Sequence, residues 1–133
     1  MDTGKSALGL DGNVAAALGY PIRIIAIICL VMEKENRFVK FHALQSILMH
    51  AGFIVVAIAV WVVGLILMVV GIAASAATNS GAFGGLFTML FVLIWFAVIA
   101  CYIGGLIFAA VKAYGGNKFM LPVVGNMAEK WTK

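Results

Sequence analysis

Residues 43–74 read ALQSILMHAGFIVVAIAVWVVGLILMVVGIAA, 32 positions without a charged side chain. A helix needs about 20 such residues to cross the ~30 Å hydrocarbon core of a bilayer, whereas this run would extend ~48 Å. The stretch therefore predicts a transmembrane helix that tilts, or one whose first turns lie among the lipid headgroups. His42, Gln45 and Ser46 at its start suit the second arrangement.

Two more apolar runs flank it, at 14–32 and 86–110, separated from it by 33–42 and 75–85. Charged residues make up 11% of the 133, against about 25% in soluble domains, and mean hydropathy is +1.14. The expected fold is all-α and integral to a membrane, a single domain over 1–133 with three transmembrane helices. Gly19-Tyr20-Pro21 interrupts the first span. Proline removes a backbone donor and crowds the preceding turn, so this helix is kinked at Pro21, or broken there to leave Val14–Tyr20 as an interfacial piece. The opening residues MDTGKSALGLDG lack the charged-then-apolar layout of a signal peptide, leaving the first apolar helix as the expected insertion signal.

Beyond the third run, Tyr114-Gly115-Gly116-Asn117 reads as a helix C-cap and turn. Phe119, Leu121, Val124, Met127 and Trp131, mixed with Lys118, Lys130 and Lys133, describe a tail over 114–133 lying along the membrane interface. Three spans place Lys34, Arg37, Lys40, Lys112, Lys118, Lys130 and Lys133 on one side and only Lys5 on the other. By the positive-inside rule the expected topology is an N-terminus outside and a C-terminus in the cytoplasm, in a multi-pass cell (inner) membrane protein. The net charge of +4 flanks the apolar runs instead of forming a patch, which points to anionic lipid headgroups and away from nucleic acid.

Helices in lipid approach closely through small residues. The third run repeats them every four positions (Ala97, Cys101, Gly105, Ala109, Ala113). The second repeats every seven (Ala43, His50, Ala57, Gly64, Gly71), as the first does with Gly12, Gly19 and Ala26. These seams serve packing within the chain or between copies. Cys29 and Cys101 lie on different apolar segments and read as small packing residues.

Arg23 is the one charge inside an apolar run, and intramembrane charges are functional candidates by default. Its depth below Met32 is ~14 Å and that of His50 below Ala43 ~11 Å, so the two are expected to border one polar pocket between the first two spans. Alternatively, Arg23 donates to carbonyls freed at Pro21 and His50 bonds between helices. His42 and His50, eight apart, do not have the spacing of a metal site on one helix. No phosphate loop, nucleophile elbow or intramembrane carboxylate pair is present, so neither enzymatic activity nor a cofactor is expected.

The segment Glu33-Lys34-Glu35-Asn36-Arg37-Phe38-Val39-Lys40-Phe41-His42-Ala43-Leu44-Gln45-Ser46-Ile47 resembles the connecting segment of a family of small bacterial and archaeal membrane proteins of uncharacterised function. That family is similar to the twenty-kilodalton component of the translocon at the inner chloroplast envelope, the Tic-twenty-like family. A second match is Lys112-Ala113-Tyr114 with Gly116, then Leu121-Pro122-Val123-Val124-Gly125-Asn126 and Ala128-Glu129-Lys130. The resemblance implies a part in protein translocation or membrane assembly. It implies four spans in the chloroplast relatives, against three here, and Arg23 is no part of its pattern. Independently of it, Asn36 can cap the second span, and Arg37, Phe38, Lys40, Phe41, His42 and Gln45 are placed to meet lipid or a partner. The expected function is a non-enzymatic scaffold or accessory subunit, with other membrane subunits or further copies as partners. The alternative is a small oligomeric channel or transporter using Arg23 and His50.

Overall fold

The computed structural model describes residues 3–132, leaving Lys133 of the expected basic tail and residues 1–2 outside the description. In chain order the helices are α1 (Gly12–Leu18), α2 (Arg23–Met32), α3 (Arg37–Thr78), α4 (Ala82–Tyr114) and α5 (Val124–Trp131). Extended pairing among the described residues is one isolated bridge between Lys5 and Asp11.

α3, with 42 residues, and α4, with 33, are the two helices long and apolar enough to cross a membrane. The third expected span does not form. At Gly19-Tyr20-Pro21-Ile22 the helical path stops, and Ile22 is extended, with φ −113° and ψ 91°. What remains on either side is 7 residues in α1 and 10 in α2, both well short of the ~20 a span requires. The three-span expectation thus becomes two candidate spans plus a pair of short helices, and the physical reason is the missing N–H and the ring of Pro21.

The described residues pack as two compact units, 3–52 with 103–132, and Phe53–Tyr102. The second is a helical hairpin. Its turn uses Asn79 at φ 51°, a left-handed conformation that asparagine tolerates better than most residues. The Ser75 hydroxyl accepts from the Gly84 amide across the turn at 2.9 Å. Down the hairpin, aromatic rings of α4 fill the space left by glycines of α3: Phe91 lies over Gly64, and Phe87 over Gly71. Trp61 meets Phe91 and Trp95 edge-on, and Phe53 stacks on Tyr102 with centroids 4.0 Å apart.

This pairing explains which seams are used. Gly64 and Gly71 face α4, but Ala97 and Cys101 are exposed on the outside of α4. Here the glycines of α3 receive rings of α4 in place of a second small face. The outward surface is mostly apolar, with Val55 67% and Phe96 74% exposed and no charged residue between Lys40 and Lys112. Exposed apolar area on this scale belongs against lipid.

A Cβ at Gly64 would collide with the Phe91 ring, while one at Gly85 would meet nothing within 4 Å. Gly64→Ala should destabilise the hairpin by about 1–3 kcal/mol, seen as a lower thermal midpoint by circular dichroism in detergent. Gly85→Ala should leave the midpoint unchanged or raise it, because alanine is the better helix former.

Candidate functional site

The first unit is organised around the start of α3. Val39, Phe41, His42, Ala43, Leu44, Gln45 and Ser46 are all buried, so these turns are covered on every side. Ala15 packs with Ala26 and Cys29 of α2 against Val39 and Ala43. Ala16 and Tyr20 pack on Ala109 and Ala113 of α4. Ala128 of α5 closes over Phe41 and Leu44. The small side chains of α1 let its backbone enter among larger elements, which is what a short helix needs to gain burial without bulk.

Polar groups on a helix buried all round are costly unless they find partners. Here the partners come from the two places where regular structure stops. At the Pro21 break, the freed Gly19 carbonyl accepts from the Ser46 hydroxyl at 2.7 Å. The Tyr20 hydroxyl accepts from Gln45 Nε2 at 2.7 Å, which leaves its own proton for His42 Nδ1 at 2.9 Å. That arrangement assigns the neutral His42 proton to Nε2, a buried atom with no partner in hydrogen-bonding geometry, although the Asn117 backbone interacts with the ring. The Tyr20 hydroxyl thus accepts from Gln45 and donates to His42.

The second break lies between α4 and α5. Gln45 Nε2 also donates to the Phe119 carbonyl at 3.1 Å, and its Oε1 accepts from the Leu121 amide at 3.2 Å. The carboxamide thus pairs with the linker backbone as a neighbouring strand would. Lys118 lies over the Phe41 ring at 4.8 Å and ion-pairs with Glu129. Gly125 is required because a Cβ there would strike Met120 and Gln45 Oε1. Val123 sits at φ 65°, ψ −62°, with the Val124 amide bonded to the Pro122 carbonyl at 2.7 Å, a strained γ-turn for a β-branched residue.

A third set of bonds fixes the N-terminal segment. Asn36 caps α3 by accepting from the amides of Phe38 and Val39, and its Nδ2 donates to the Thr3 and Lys5 carbonyls. Glu33 accepts from the Ala7 and Asn36 amides. Asn13 Nδ2 donates to the Tyr114 carbonyl at 2.8 Å. These bonds put Thr3–Asn13 at the same end of the helices as the Glu33–Asn36 loop and the end of α4. Between Thr3–Ala7 and Met32–Arg37 lies an open polar cavity of about 580 Å³.

Several sequence expectations take a different form. Arg23 stands exposed in the first turn of α2 and makes no hydrogen bond or ion pair among the described residues. His50 Nδ1 instead donates to the Ser46 carbonyl of its own helix at 2.7 Å. α2 turns Ala26 and Cys29 inward and leaves Arg23 on its exposed side, whereas His50 is buried. Of the expected lipid or partner contacts, Arg37 is exposed and Phe38 and Lys40 half-buried, but Phe41, His42 and Gln45 are enclosed. Phe38 and Phe41 pack edge-on against His42, with centroids 4.6 and 5.1 Å away. Gly105 meets the Met49 side chain, and Ala109 is buried against α1. Sequence reasoning missed Tyr20, whose signal was a phenol placed directly before the proline of an apolar helix. Among the described residues no three His, Cys, Asp or Glu side chains converge as metal ligands.

Two long helices with exposed apolar faces, and a buried polar cluster at the start of α3, are the features of a helical membrane protein. The chain belongs to the UPF0132 family of membrane proteins. A UPF0132 membrane protein of Methanocaldococcus jannaschii is 36% identical over 133 residues, covering 98% of this chain and 96% of its own. One of Archaeoglobus fulgidus is 36% identical over 123 residues, 89% of this chain and 92% of its own. A second M. jannaschii member is 32% identical over 126 residues, 94% of this chain and 73% of its own. No family model and no solved structure matches the chain.

Replacing Gln45 by leucine strands the Phe119 carbonyl and Leu121 amide and should cost about 2–5 kcal/mol. Tyr20→Phe, which removes one hydroxyl, should cost less. Limited proteolysis in detergent is expected to release the segment after Asn117 faster in Gln45→Leu than in wild type. Equal rates and equal thermal midpoints would show that the clamp contributes nothing.

Proposed function

We propose that this protein is a non-enzymatic scaffold or accessory subunit of a membrane complex. The observation that carries this reading is the use to which the buried polar side chains are put. Tyr20, His42, Gln45 and Ser46 bond to one another or to backbone and hold segments together. Lys34 and Glu35 on the loop before α3, and Arg37 at its first position, remain exposed, free of hydrogen bonds and ion pairs from the described side chains. Such a loop offers mixed charge to another subunit without committing it to internal structure. The resemblance to the Tic-twenty-like family supports protein translocation or membrane assembly as the process served. The channel or transporter reading has less support, since it asks Arg23 and His50 to line one path.

The proposed topology has α3 and α4 crossing the membrane, with α1 and α2 entering and leaving on one side. Lys5, Lys34, Arg37, Lys40, Lys112, Lys118 and Lys130 then share a side, and the turn between α3 and α4 carries no charge. The positive-inside rule assigns both termini to the cytoplasmic face of the cell (inner) membrane. Val123, Met127 and Trp131 expose one apolar stripe of α5, suited to the interface on that same face.

Affinity purification from native membranes should recover companion proteins with wild type and lose them with the pair Lys34→Glu and Arg37→Glu. Identical recovery from both, or ion flux through the purified protein in liposomes, would contradict the scaffold reading. For topology, single cysteines at Leu8 and Asn117, in a background with Cys29 and Cys101 changed to alanine, should label from one side of sealed vesicles. A cysteine at Asn79 should label from the other.

A further inference from the structure

Arg23 presents a physical problem that the chain does not solve internally. It is exposed at the start of α2 between Ile22, 44% exposed, and Ile24, 68% exposed, with Ile27 a turn further on at 52%. Intramembrane charges pair with acids or backbone carbonyls, because an uncompensated charge in hydrocarbon is costly. Among the described residues no hydrogen bond or ion pair engages this guanidinium, and the Gly19 carbonyl freed at the break is taken by Ser46. Its counter-charge must come from outside.

Two features identify the source. The five acids of the sequence are Asp2, Asp11, Glu33, Glu35 and Glu129, so the charge-free run from Phe41 to Val111 of a second copy brings no carboxylate. A phosphate, by contrast, suits the planar fork of an arginine. Two residues before it in the chain, Pro21 lines a groove of about 300 Å³ together with Ile103, Leu106, Ile107, Ala110 and Val111. The lining is apolar throughout, which fits hydrocarbon and nothing that needs hydrogen bonds.

We infer that this face binds an anionic membrane lipid, with one hydrocarbon chain in the groove between Pro21 and α4 and its phosphate on the Arg23 guanidinium. The inference rests on the proposed embedding of α1 and α2 in the membrane. Arginine's long stem allows the guanidinium to reach towards the headgroup layer while Pro21 stays deeper. The bound lipid would cover the face of the broken helix pair that the protein leaves bare.

The test is native mass spectrometry of the full chain from detergent with added phosphatidylglycerol or phosphatidylcholine. Wild type should retain one phosphatidylglycerol in preference to phosphatidylcholine. Arg23→Leu, and Ile107→Trp to fill the groove, should each cut retention at least about tenfold, the effect of losing one charge-assisted contact. Arg23→Lys, which keeps the charge, should cut it less and guards against a folding defect. Equal retention in Arg23→Leu, or no preference between the lipids, would overturn the site. So would inorganic phosphate stabilising wild type as much as the lipid, or a dimer that dissociates on Arg23→Leu. Maleimide labelling of Ile27→Cys, in the background lacking Cys29 and Cys101, separates the two levels of the proposal. A shielded position 27 without lipid preference ends the lipid site alone, and a water-labelled one ends the embedding as well.

Discussion

One carboxamide holds three parts of this protein in register. Gln45 lies on a helix covered on all sides, and its amide meets Tyr20 from the broken first segment and both Phe119 and Leu121 from the link to α5. In a low-dielectric interior the penalty for leaving such groups unpaired exceeds the net gain from pairing them. The cluster therefore acts mainly by exclusion. Any docking of α1 or of the C-terminal segment that fails to present these partners leaves buried polar groups stranded.

The break at Pro21 and the enclosure of α3 depend on each other. Interrupting α1 and α2 exposes the Gly19 carbonyl and brings Tyr20 inward, and both would be liabilities without Ser46, His42 and Gln45 opposite. Conversely, a helix carrying those three polar residues in an apolar setting needs irregular backbone beside it. The alanines of α1 permit the close approach that makes the exchange possible. The hairpin of Phe53–Tyr102 needs none of this, since glycine-against-ring packing suffices there.

Much of this architecture was legible in the sequence and some was not. The long runs at 43–74 and 86–110 announce α3 and α4 through length and absence of charge alone, and Asn36 declares itself as a cap by type and position. The run at 14–32 misleads because hydropathy sums over Pro21, whereas hydrogen bonding does not. Nor does hydropathy reveal the bonds that tie the N-terminal segment to Asn36 and Tyr114. Phe41, His42 and Gln45 looked like surface contacts because a local motif does not reveal that α5 folds back over it. The small residues of α4 suggested a seam, but which face packs was decided by ring shapes opposite Gly64 and Gly71.

The central claim is that a side chain, not a regular element, secures the link between α4 and α5. The Leu121 amide reports on it directly, because it lies outside any helix and its bond is to Gln45 Oε1. Hydrogen exchange measured by NMR in detergent micelles should find this amide protected in wild type and exchanging at the rate of an exposed loop in Gln45→Leu. Rapid exchange at Leu121 in the wild-type protein would contradict the account.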